Sequence, residues 1–184
     1  MRVGAVVLAA GASKRLGQPK QLLILGGETL LERAVRVARE ADCSPVVVVL
    51  GISAESIWAG CDLRDVVMVM NEDWAEGMGS SIRAGVRALQ DLDGCVLMTC
   101  DMPAVTVSHL RALMASGEVT ASSYAGRRGV PAYFPVNAFQ SLMKLRGDAG
   151  AKDLLRLASF VDLDGGDLDV DTLEDLARAR ALFG

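Results

Sequence analysis

Unbroken apolar runs separated by helical patterns limit the fold of this chain more than any other feature. Residues 3–8, 46–50 and 95–99 carry no polar alternation, so they read as strands of a sheet covered on both faces. Further strands are expected at 66–70, 119–123, 132–135 and 160–163. Helices are expected between them. Residues 29–41 place Leu30, Ala34, Val37 and Ala38 on one face, 80–92 place Ile82, Val86 and Leu89, and 106–116 place Leu110, Leu113 and Met114. This alternation predicts an α/β fold, a mainly parallel sheet with helices on both faces. The 184 residues suit one domain spanning 1–184. Ligands of such sheets gather where strands end at their carboxyl edge, so residues that directly follow strands carry the functional information.

Composition narrows the classes. Hydrophobic residues make up 51% and aromatics 4%, so the core is built from Val, Leu, Ala and Met, and stacking on aromatic platforms is not the main means of recognition. A formal net charge of -4 gives no electrostatic footprint for nucleic acid. Cys43, Cys61, Cys95 and Cys100 form no C-x-x-C pair and lie in or beside apolar runs, a usage that fits a reducing cytoplasm. Arg2 and the apolar run after it superficially resemble a signal peptide. Cleavage there would cut into the most informative segment, and no stretch approaches the ~18 apolar residues of a membrane span. The expectation is a soluble, cytoplasmic, untargeted protein.

The most informative segment follows the first strand. Gly11 and Gly17 allow the backbone to curl so that several N–H groups face one anion, and Lys14, Arg15 and Lys20 add positive charge. Gly11 begins both the dinucleotide fingerprint and the Walker loop and completes neither. The pattern that is complete is L-A-A-G-x-S-x-R-x-G-x-P-K, formed by Leu8, Ala9, Ala10, Gly11, Ser13, Arg15, Gly17, Pro19 and Lys20, with Ala12 inside it. It resembles the signature of the MobA-like nucleotidyltransferases. That resemblance implies a three-layer Rossmann-like nucleotidyltransferase fold in which this loop holds a nucleoside triphosphate, and Arg15 and Lys20 act on its phosphates.

Four later segments match the family in order. Asn71, Trp74, Gly77, Met78 and Ser81 resemble its base-binding region, with Gly77 and Gly79 giving backbone access to the base and Ser81 contacting a pyrimidine. The alternative is that Ser80 or Ser81 caps a helix and Trp74 is simply packed. Asp101, in C-D-M-P, ends an apolar strand. A carboxylate there suits Mg²⁺ bound to phosphate oxygens, although it can equally turn the chain before Pro103. In the 126–134 segment Gly129 and Pro131 match the acceptor side, while Arg127 and Arg128 meet an acceptor phosphate or form a solvated turn. Asp148 and Gly150 match a further acceptor element, or begin a helix.

Residues 160–175 carry seven acidic groups and no basic one. The resemblance makes Asp169 and Asp171 the metal partners of Asp101, one of them approaching the ion. A capping box, Thr172 with Asp175 or Asp171 with Glu174, explains the same residues without metal. His109 is the only histidine, which argues against histidine-based catalysis. The resemblance implies Mg²⁺-dependent transfer of CMP from CTP to the terminal phosphate of molybdopterin, with pyrophosphate released and a molybdoenzyme as possible client. Ala10 marks the cytidylyl branch, because the guanylyl branch has glycine there. Guanylyl transfer, transfer to a sugar or polyol phosphate, and a non-catalytic nucleotide-binding accessory protein are the alternatives.

Overall fold

A computed structural model describes residues 1–13, 15–149 and 151–184, with the side chain of Ala149 excluded. Lys14 and Gly150, both singled out above, lie outside the described residues.

The elements run β1 (Val3–Ala9), β2 (Ile24–Leu25), β3 (Glu28–Thr29), α1 (Leu30–Glu40), β4 (Val46–Leu50), α2 (Ala54–Gly60), β5 (Val67–Met70), α3 (Met78–Arg87), β6 (Gly94–Thr99), α4 (Val107–Met114), β7 (Thr120–Tyr124), β8 (Arg127–Pro135), α5 (Phe139–Leu142), α6 (Lys152–Leu155), β9 (Ser159–Asp162) and α7 (Leu173–Phe183). The main sheet has seven strands in the order β5-β4-β1-β6-β8-β7-β9. β5, β4, β1 and β6 are parallel, β8 runs antiparallel to β6 and β7, and β9 is parallel to β7. The expected mainly parallel sheet is therefore present, with β8 as the reversed strand.

β1 and β4 are buried along their whole length, as the absence of polar alternation requires. Alternate side chains feed two cores. Val7, Val48, Val96 and Met98 pack against α1 and α4, while Val6, Val49, Leu97 and Phe134 pack beneath α3, α5 and α6. A third cluster joins Leu16, Leu25 and Leu30 to Val170, Leu176 and Ala179 of the C-terminal segment. It brings the acidic tail back to the first loop.

Local chemistry sets the boundaries. Thr29 and Glu32 form a capping box, with Oγ1 accepting from the Glu32 N–H at 3.1 Å and the Glu32 carboxylate accepting from the Thr29 N–H at 2.8 Å. Thr172 and Asp175 form the second box, at the start of α7. β8 begins at Arg127 rather than near 132, because Ala125 and Gly126 take positive φ values of 48° and 72° and close a two-residue hairpin. Arg127 and Arg128 thus lie on a strand, which corrects the turn reading.

Candidate active site

The loop after β1 is held from below. Gln21 is 1% exposed, and its Nε2 donates to the Ala9 carbonyl at 2.6 Å and, more weakly, to that of Gly11 at 3.4 Å. Ser13, at φ 47°, accepts the Lys20 N–H through Oγ at 3.0 Å. Gly51, just past β4, gives this loop room: a Cβ there would stand 2.7 Å from the Ala10 carbonyl oxygen and 3.0 Å from its methyl.

Asp101 follows β6 and is 8% exposed. Its carbonyl accepts the Val170 N–H at 2.9 Å. Val170, between Asp169 and Asp171, is buried in the third cluster and anchors this segment beside Asp101. The two carboxylates meet different partners. Lys20 Nζ contacts Asp101 Oδ2 directly and Asp171 Oδ1 at 2.9 Å. Arg15, three-quarters exposed, lies 3.7 Å from Asp171. Burial opposes the charge on Lys20, but the attraction and hydrogen bonding of Asp101 and Asp171 outweigh it and hold its pKa above the ordinary lysine value. Asp169 instead faces the cleft beside Asp101. Burial, then repulsion from Asp101, pushes its pKa up to about 6.

Two concavities meet at Asp101. Leu8, Ala9, Ala10, Gly11 and Ala12 line the first with Lys20, Gln21, Trp74, Gly77 and Ser81. The second is lined by Tyr124, Arg127, Arg128, Gly129, Lys152 and Asp169. Met78, Thr99, Asp101 and Asp148 line both. The Arg127 guanidinium lies over the Tyr124 ring at 5.3 Å and that of Arg128 over Phe160 at 5.0 Å, so both charges are held at the mouth of the second concavity.

Several expected residues sit elsewhere. Asn71 is buried behind the cleft and donates to Ser80 Oγ at 2.8 Å and Ser81 Oγ at 2.9 Å. It positions Ser81 rather than lining the pocket. Ser13 and Arg15 are likewise absent from the lining. Pro131 is buried within β8, and its carbonyl accepts from Ser122 Oγ at 2.6 Å, so it offers no acceptor surface. Neither Ser80 nor Ser81 caps α3. The helix starts at Met78, and both serines lie in its first turn. Gly77 lines the pocket, but its missing Cβ admits protein: at φ 119°, a Cβ would stand 2.6 Å from the Gly147 carbonyl carbon and 2.8 Å from the Asp148 nitrogen. Gln21, Gly51, Thr99 and Tyr124 match no motif in the sequence, and only the folded chain brings them to the loop or the pockets.

Among the described residues no group of three or more His, Cys, Asp or Glu side chains is placed to hold a metal ion. Asp101 and Asp169 nevertheless fit a hard cation. They are two oxygen donors that repel each other across a cleft, the minimal protein share of a Mg²⁺ site completed by phosphate oxygens and water.

A carboxylate shared by two adjoining pockets suits an enzyme that joins two substrates, and on this sheet the class is nucleotidyltransferase. Residues 5–164 match the MobA-like NTP transferase domain, and the chain belongs to that family. It is 34% identical to nicotine blue oxidoreductase of Paenarthrobacter nicotinovorans, over 96% of this chain and 95% of that one. It is 29% identical to the molybdenum cofactor cytidylyltransferase of Escherichia coli K12, over 59% and 56% of the two chains. The crystal structure of Rv0371c from Mycobacterium tuberculosis H37Rv superposes with a TM-score of 0.88 at 33% identity, covering 98% of both chains. The same protein in complex with manganese gives 0.83 at 32% identity, covering 99% of this chain and 100% of that one. Among the described residues no helix is long and apolar enough to cross a membrane.

Proposed function

We propose that residues 1–184 act as one cytoplasmic domain that transfers CMP from CTP to the terminal phosphate of molybdopterin, with Mg²⁺. The observation that carries this reading is Asp101 on the wall common to two pockets, with a phosphate-type loop on one side and basic residues on the other. The E. coli relative's name supplies the acceptor and the base.

The nucleotide occupies the first pocket, its base near Ser81 and Trp74 and its phosphates against the Ala10–Ala12 backbone and Lys20. Arg15, three-quarters exposed, closes on the outer phosphates. The acceptor phosphate lies between Arg127, Arg128 and Lys152, with Asp148 orienting the rest of the molecule. An acceptor oxygen forms a bond to the α-phosphorus as the bond to the bridging oxygen breaks, and pyrophosphate leaves with the displaced electron pair. Lys20 neutralises that leaving charge once phosphate replaces the carboxylates around its Nζ. Asp101 and Asp169 hold Mg²⁺, which supplies charge neutralisation on the triphosphate. Asp171 serves as the resting partner of Lys20 and Arg15 rather than as a metal ligand.

The identity to nicotine blue oxidoreductase over almost the whole chain sustains a second reading, as an oxidoreductase. Pyrophosphate release from CTP, GTP, ATP and UTP with Mg²⁺, with and without molybdenum-loaded molybdopterin, separates the two. Release from CTP that requires the acceptor is expected. Release from GTP would keep the transferase and overturn the base assignment, and silence with all four would favour the oxidoreductase or a binding module.

A further inference from the structure

Gln21 has no place in the chemistry above, yet it is among the most buried polar side chains, at 1% exposure. It is the inward-facing residue of the short 3-10 turn Lys20–Leu22. Its Nε2 reaches the carbonyls of Ala9 and Gly11, one on each side of Ala10, while its Oε1 is buried with no hydrogen-bond partner among the described residues. The orientation of the amide follows from these contacts, because the reverse would set an oxygen against two carbonyl oxygens. An unpartnered buried oxygen is costly, and a leucine would remove it together with the donor to Ala9 and Gly11.

Peptide geometry indicates what the glutamine does. In a trans peptide the C=O and the following N–H point in opposite directions. Holding the carbonyls of Ala9 and Gly11 toward Gln21 turns the N–H groups of Ala10 and Ala12 away from it. Gly51 admits the Ala10 carbonyl on the neighbouring strand end, and the Lys20 N–H to Ser13 Oγ bond closes the loop from the far side. The loop is thus tied to the turn that carries Lys20.

We propose that Gln21 is a positioning residue that presets the β1 loop for the nucleotide phosphates, at the expense of the stability of the free protein. The inference rests on the nucleotide-binding reading of the first pocket. It is tested with the full-length protein by titrating CTP and GTP in the presence of Mg²⁺ and by thermal unfolding without ligand. Gln21→Leu, which removes the donor and the orphaned oxygen together, is expected to unfold at the same temperature as wild type or higher. Its nucleotide affinity is expected to fall at least about fivefold, the scale of one lost hydrogen bond. Gln21→Glu keeps the shape but sets a carboxylate against two carbonyls, and it is expected to weaken both binding and folding. Should Gln21→Leu not fold, Gln21→Met replaces it as the variant without a donor. Unchanged affinity in a folded variant lacking the donor, or a loss of affinity that only follows a loss of stability, would overturn the role of Gln21 and leave the nucleotide reading intact. A wild-type protein that binds neither nucleotide would overturn both.

Discussion

Lys20 is the residue on which the site balances. In the free protein its ammonium stands between Asp101 and Asp171, so the lysine expected to meet phosphate is held by carboxylates until an anion competes for it. The pairing keeps a half-buried cation satisfied and preorganised, and a charge fixed in position before reaction is worth far more than one that must be recruited. Lys20→Ala is expected to lower turnover by about 100-fold while the protein still folds, and steady-state pyrophosphate release against a thermal melt checks both halves. The motif marks Lys20 in the sequence, but its two partners lie 81 and 151 residues away. The choice between Asp169 and Asp171 could not be read from their spacing. It is visible only in the folded chain, where the segment anchored by Val170 beside Asp101 has Asp169 lining the cleft and Asp171 paired with Lys20.

At the scale of elements, the start of α3 decides the shape of the first pocket. The sequence points to glycines that open space for a base, and both of them open space for the chain itself. Gly77 and Gly79 let the turn at Gly147–Ala149 descend onto the helix start, where Arg83 Nη2 also pairs with Glu76 at 2.6 Å. Asp148 reaches both pockets by this route. Gly77→Ala combines a positive φ with a backbone overlap that no rotamer change relieves, and it is expected to destabilise the protein by about 1–3 kcal/mol. Protection of amides 146–149 from hydrogen exchange should fall with it. The β7–β8 hairpin shows a related limit. Arg127 and Arg128 stand out in the sequence, but Ala125 at positive φ was not a turn signal, and the rings that hold the two guanidinium groups come from β7 and β9.

At the scale of the whole molecule, the two cores are joined through the sheet, and a buried polar chain crosses at its mixed end. His109 on α4 meets Ser122 Oγ at 2.7 Å, and Ser122 donates to the Pro131 carbonyl at 2.6 Å. With the serine proton committed, His109 Nε2 carries the donor hydrogen of a neutral ring. Burial lowers its pKa below the ordinary 6.5. The unfolded chain therefore takes up a proton that the folded one refuses, so this contribution to stability is complete above pH 6.5 and is lost as the pH falls through the folded pKa. Thermal melts between pH 7.5 and 5 should show a decline on acidification that is shallower in His109→Gln, and parallel curves would exclude the histidine as the cause. What the sequence determined by itself was the part written in local pattern: buried strands in apolar runs, helix starts in capping residues, and the β1 loop, Lys20 and Asp101 at strand ends. Only the tertiary structure decided which carboxylate faces the cleft, that Asn71 and Pro131 lie outside it, and that Gln21 and Gly51 shape the loop. Those outcomes depend on pairings between residues far apart in the chain, and a linear pattern carries no distance between them.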